Sequence, residues 1–122
     1  MQRLMTKQFS KWASKQQIQD NYLLIALNEV QQGKFEANLG GNVFKKRIRF
    51  EGQGKSSSGR LILCYKKGNR IIFVHGFAKN EKSNLSKKEL FAFKELSKIL
   101  LSLNDKEVGI AVKNGDLIEV VS

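Results

Sequence analysis

The sequence predicts an α+β domain with two N-terminal helices, a small twisted antiparallel sheet of about three to four strands, and one or two C-terminal helices. Three observations predict it. Residues 43–80 hold three short runs in which apolar and charged residues alternate, separated by glycine-containing loops, as in short antiparallel strands. Three- and four-residue apolar spacing, the mark of helices with one buried face, flanks that stretch on both sides. No internal repeat, low-complexity segment or proline-rich linker interrupts the 122 residues, so they are expected to form a single domain covering 1–122.

Taken in order, residues 6–15 place Phe9, Trp12 and Ala13 on one helical face and Lys7, Lys11 and Lys15 on another. Asp20 is expected to cap a second helix, in which Leu23, Leu24, Leu27 and Val30 repeat at helical spacing until Gly33 stops it. Leu39-Gly40-Gly41 then turns the chain into a first strand beginning at Val43. A second run spans 60–66 and a third 70–79. Between them Lys67-Gly68-Asn69 forms a tight hairpin, because Gly and Asn tolerate positive φ. Ser86-Lys87-Lys88-Glu89 fits a capping box, and Leu85 and Leu90 sit where a hydrophobic staple would close it. Phe93, Leu96, Leu100 and Leu103 carry the buried stripe of the helix that follows, with Ile99 beside it. Asp105 is expected to cap one more short helix ending near Asn114-Gly115, and residues 117–121 to close the chain as a strand.

Composition narrows the functional classes. Hydrophobic residues at 41% suffice for a core, and no apolar run approaches the ~20 residues of a membrane span. The N-terminus lacks a long apolar leader segment, so a soluble cytoplasmic protein with no membrane partner is expected. One cysteine, Cys64, and one histidine, His75, form neither an internal disulfide nor a structural zinc site, and no metal or cofactor is expected. The formal charge is +11, and residues 42–70 hold nine bases against Glu51 alone, or +8 of it. Such a charge works against compactness unless an anionic partner uses it, and nucleic acid is the leading candidate.

Strand alternation decides where that charge points. On the first strand Lys45, Arg47 and Arg49 share one face and Phe44, Ile48 and Phe50 the other, with Lys46 among them. On the second, Leu61, Leu63 and Tyr65 oppose Arg60, Ile62, Cys64 and Lys66. On the third, Ile72, Val74, Gly76 and Ala78 oppose Ile71, Phe73, His75, Phe77 and Lys79. If helices cover the faces of Ile48, Leu63 and Val74, the other face gathers Lys45, Arg47, Arg49, Arg60, His75, Phe77 and Lys79. Cations beside aromatic rings suit RNA, whose phosphates need charge and whose unstacked bases need planar surfaces.

The segments Phe44-Lys45-Lys46-Arg47-Ile48, Gly52-Gln53-Gly54-Lys55-Ser56, Gly59-Arg60 and Phe77-Ala78-Lys79-Asn80-Glu81 together resemble the RelE/HigB superfamily of toxins from bacterial type II toxin–antitoxin systems. The resemblance extends into both flanking helical regions. It implies a RelE-like fold and a metal-independent mRNA endonuclease that enters the ribosomal decoding site, inhibits translation, and is neutralised by a cognate antitoxin of the helix-turn-helix type. The family loop usually reads Gly-Arg-Gly-Lys-Ser-Gly-Gly, an apolar residue, then Arg. Here Gln53, Ser57, Ser58 and Gly59 depart from it, and Phe77 stands where relatives often carry Tyr.

The chemistry can be assigned from residue types. Cleavage by 2′-OH attack requires a base, stabilisation of the phosphorane charge and protonation of the leaving 5′-oxygen. With no carboxylate expected on the basic face, a lysine among cations is the available base, since like charge lowers its pKa; Lys55 and Lys79 are the candidates. Arg60 and Arg47 hold their protons and suit the equatorial phosphate oxygens, so they are expected to stabilise charge. Lys45, Lys46, Arg49, His75 and Phe77 are expected to bind the RNA. Arg60, facing away from the predicted core, is expected to contribute little to thermal stability. Gly54-Lys55-Ser56 is not a phosphate-binding P-loop, because the first glycine of that motif would fall at Arg49. The alternatives are a non-catalytic basic RNA- or DNA-binding module and an inactive homologue that binds only its antitoxin.

Overall fold

In a computed structural model, which describes residues 1–49, 58–82 and 84–121, the chain forms four helices and a six-stranded mixed sheet. The elements are β1 (Gln2–Thr6), α1 (Lys7–Lys15), α2 (Asp20–Gln31), β2 (Ala37–Gly40), β3 (Val43–Arg49), β4 (Ser58–Lys66), β5 (Arg70–Ala78), α3 (Lys87–Ser102), α4 (Asp105–Asn114) and β6 (Leu117–Glu119). Across the sheet the order is β2-β3-β4-β5-β1-β6, and only β1 with β5 runs parallel. The α+β class agrees with the sequence. The strand count does not: β1 and β2 were not expected.

Local chemistry explains most element ends. Thr6 caps α1, its hydroxyl accepting from the Phe9 amide at 3.1 Å. Ser86 and Glu89 form a reciprocal capping box on α3, as expected from the spacing. Asn104 and Glu107 form another on α4, so the cap lies one residue before Asp105. Asp20 is not a cap either: Gln19 holds that position, and the Asp20 carboxylate accepts from the Val121 amide. Gly115 ends α4 at φ +83°, a left-handed C-cap. Gly41 and Asn42, at φ +61° and +63°, make the two-residue turn between β2 and β3. Two consecutive left-handed residues are what a type I′ hairpin requires.

Helices cover both faces of the sheet. α1 and α2 bury Phe9, Ala13, Leu23, Leu27 and Val30 against Met5, Ile48, Leu61, Leu63, Ile71 and Phe73. α3 and α4 bury Leu100, Leu101 and Val108 against Val43, Ile62, Cys64, Ile72, Val74 and Leu117. The expectation that the face of Lys45 and Arg47 is not a core face is therefore corrected. One end of that face, at Val43, Ile62 and Cys64, is fully buried.

β5 also departs from simple alternation. Leu63 pairs with Phe73 and Ile62 with His75, so Val74 is a bulge. The extra residue sends Phe73 to the α1 side and His75 and Phe77 to the α3 side, and moves Val74 away from the face of Ile48 and Leu63. Past the bulge, Gly76 lies directly beneath the Trp12 ring, and a Cβ there would collide with it.

Candidate nucleic-acid interface

The register of β3, β4 and β5 arranges the cationic face as rows. Arg47 pairs with Arg60, and Arg60 with Phe77; one row toward the core, Lys45 pairs with Ile62 and Ile62 with His75. One row outward, Arg49 pairs with Ser58, whose carbonyl accepts from the Lys79 amide at 2.9 Å. The face thus passes from an apolar end sealed by α3 and α4 to an open end carrying Arg47, Arg49 and Lys79, all exposed.

Two arginines directly opposite each other on neighbouring strands repel. Glu36, one residue before β2, relieves this. Its carboxylate meets Arg60 Nε at 2.6 Å and Lys45 Nζ at 3.2 Å. Lys45 also donates to Asn84 at 3.3 Å, and Arg60 Nη1 donates to the Gly59 carbonyl at 3.1 Å. Burial disfavours the charged form of Glu36, but the hydrogen bonds and charges of Arg60 and Lys45 outweigh it and hold the carboxyl below the usual carboxylate range. The basic face therefore does contain a carboxylate, contrary to the expectation that a lysine is its sole available base. Glu36 was missed because it lies nine residues before Lys45 in the chain; only the β2–β3 hairpin, which pairs Ala37 with Lys45, brings it there.

The other expected residues separate accordingly. Arg60, expected to face away from the core, is 5% exposed. Lys46 points to the opposite face and pairs with Glu29 of α2 at 3.1 Å. Phe77 is buried, with Lys82 over its ring at 6.0 Å from the centroid, so it does not present a bare stacking surface. Lys82 is in turn bonded to Glu89, which holds that carboxyl down to about 2. His75 is half-buried, with ring centroids 6.0 Å from Phe77 and 5.0 Å from Phe93. Burial lowers its pKa; Glu89 opposes and Lys82 reinforces that, so the imidazole is neutral at pH 7. Lys55, with Gln53 and Ser57 of the altered loop, lies outside the described residues. Arg70, counted among the bases of this stretch, is structural. It is 3% exposed, donates to the carbonyls of Leu100 and Leu103 at the end of α3, and lies 3.7 Å from Asp105. Cys64 is buried beneath α3, and burial pushes its thiol up to about 11, so it is not a nucleophile at neutral pH.

Beyond Lys45 no described strand covers the outer side of β3. A groove of about 580 Å³ opens there between β3 and α2, lined by Tyr22, Ile25, Glu29, Lys46, Arg47 and Arg49, with the Tyr22 hydroxyl donating to the Arg49 carbonyl at 2.9 Å. The exposed arginines stand on its rim.

The molecule is thus a small α+β sandwich with a row of cations at the open end of one sheet face. The model of the RelE toxin of the RelE/RelB toxin–antitoxin system matches residues 1–120, and the chain belongs to that family. It is a toxin of a toxin–antitoxin system, with an antitoxin as partner. Toxins of the family are generally endoribonucleases. No curated protein matches the chain as a relative. Among the described residues, no helix is long and apolar enough to cross a membrane.

Proposed function

We propose that the chain is a ribosome-dependent mRNA endonuclease acting without metal, as one RelE/HigB-like toxin unit in the cytoplasm, and that a helix-turn-helix antitoxin silences it. The observation that carries this reading is the direct cross-strand pairing of Arg47 with Arg60, next to exposed Arg49 and Lys79. Two guanidinium forks one strand apart can hold the non-bridging oxygens of one phosphate, where charge develops as the 2′-oxygen attacks. Arg60 is oriented for this by Glu36, and Arg47 is free to close on the substrate. Lys79, at the open end beside Ser58, is in a position to take the 2′-OH proton, and Lys55 is the alternative. Half-buried His75, neutral at pH 7, suits a stacking role better than that of proton donor to the leaving oxygen. Exposed Arg49 extends the phosphate track, whereas buried Lys45 acts on it only through Glu36.

A second reading draws on a different feature. Glu36 already engages Arg60 Nε and Lys45 Nζ, which neutralises part of the track and favours a face that only binds RNA, or an inactive chain kept to bind the antitoxin. Mapping RNA ends after brief induction in cells separates the readings. New cuts inside translated frames are expected from the nuclease; growth arrest without cuts would assign the face to binding, and unimpaired growth with intact protein would remove the toxic activity.

A further inference from the structure

An aromatic notch lies at the edge of the sheet, beside the cationic rows. β1 accompanies β5 only from Arg70 to Phe73, so from Val74 onward no described strand covers that side of β5. The chain leaves β1 for α1, which lowers Trp12 onto Gly76 from one face of the sheet. From the other face α3 brings Phe93 against His75, with ring centroids 5.0 Å apart. Between them is a notch of about 180 Å³ lined by Gln8, Phe9, Trp12, His75, Gly76 and Phe93. Trp12, His75 and Phe93 are each half-buried, so part of each ring is reachable, and exposed Gln8 brings both an amide donor and an acceptor to the mouth.

We propose that this notch takes one unstacked nucleobase of the bound RNA, an inference that rests on the RNA reading of the basic face. The ring walls favour a flat, neutral occupant. A cationic side chain would enter against the chain's net positive charge, and an acidic one would find no lysine or arginine in the lining. The position fits as well. His75 stands two residues along β5 from Phe77, the cross-strand partner of Arg60. That is about 7 Å along the strand and about 5 Å across to the next, so His75 lies about 8 Å from Arg60 backbone to backbone, a span of one to two extended nucleotides. A phosphate held at Arg47 and Arg60 thus leaves the base of a neighbouring nucleotide within reach of the notch. Phe77, buried beneath Lys82, offers no bare face to a base, whereas the rings of the notch do.

Trp12 is the chain's one tryptophan, so its fluorescence reports on the notch. The titrants are a 2′-O-methylated adenosine trinucleotide, which cannot be cut, and the abasic ribose-phosphate of the same length. The trinucleotide should quench Trp12 saturably and the abasic chain should not. Phe93→Ala should weaken the quench by about 5- to 100-fold, the range for losing one base–aromatic stack. Gln8→Ala, at an exposed position, should weaken it with the melting curve unchanged, and so serves if Phe93→Ala unfolds. Equal quenching by the abasic chain, or none by either, overturns the proposal. So does a quench indifferent to both variants, or a response to N-acetyl-phenylalanine amide alone, which would mark a pocket for a protein side chain. Cuts in cellular mRNA without base-dependent quenching would remove the notch and leave the nuclease reading in place; base-dependent quenching without cuts would do the reverse.

Discussion

Glu36 changes what Arg60 means. A guanidinium at 5% exposure, bonded to a carboxylate that also serves Lys45, is part of the packing as well as of the proposed phosphate track. Arg60→Ala should therefore lower stability by roughly 1–3 kcal/mol, because the partly buried carboxylate loses a charged donor. In single-turnover cleavage on programmed ribosomes the same variant should lose roughly 10²–10³-fold beyond what its unfolded fraction explains. Arg60→Lys should recover stability better than rate, since an ammonium lacks the planar fork. Glu36→Gln removes the negative charge between the two cations. It should strengthen RNA binding while costing about 1 kcal/mol of stability, read by fluorescence anisotropy and chemical denaturation; a collapse of cleavage with binding retained would make Glu36 the base. Acid stability should also bear residue-level signatures. The His75 pKa is depressed from 6.5, so the unfolded chain binds its proton first and stability declines as pH falls below about 6.5. Glu89, held at about 2 against an ordinary 4.5, contributes a second loss as pH falls from 4.5 toward 2. His75→Gln should flatten the first decline and leave the second, as read by urea midpoints across pH.

At the scale of elements, the sequence revealed what short-range chemistry determines. Ser86 to Glu89 specified the start of α3, and Ser86→Ala should cost about 1 kcal/mol in thermal melts. Gly115 and the runs of β3, β4 and β5 were equally legible. Elements determined by distant partners were not. β1 is five residues whose parallel partner, β5, lies 68 positions away, and nothing local separates it from the start of a helix. β2 is four residues, although the Gly41-Asn42 turn behind it is a hairpin signal readable from the sequence. The bulge at Val74 reversed the faces of the residues leading up to it, and with them the roles expected of Val74 and Phe73, while His75 and Phe77 beyond it kept the expected face. The candidate site divides in the same way. Its cations could be named from residues 45–79, but their partners could not, because Glu36 and Phe93 reach them only through a hairpin and a helix packed across the sheet. Gly76→Ala tests that packing: a methyl group under the Trp12 ring should cost about 1–3 kcal/mol by overpacking, measured by denaturation.

Over the whole molecule, charge is unevenly spent on structure. Arg70, Lys46, Lys45 and Arg60 have partners inside the fold, whereas Arg47, Arg49 and Lys79 stand exposed at one end. Affinity for single-stranded RNA should therefore fall with salt by a log–log slope of about −0.7 per phosphate engaged, and Arg47→Ala or Lys79→Ala should each flatten it by about one such step. Lys46→Ala should leave the slope unchanged, and a slope indifferent to all three variants would remove this end of the sheet from binding. The edge formed by β1 and β6 has a different implication. β1 is held on one side by β5 and on the other by β6, where Thr6 pairs with Leu117. Its backbone is satisfied on both sides only when strands about 68 and 113 positions away have joined it. Truncation before Leu117 therefore leaves one edge of β1 unpaired, and such a variant should associate through that edge, read as aggregation by light scattering.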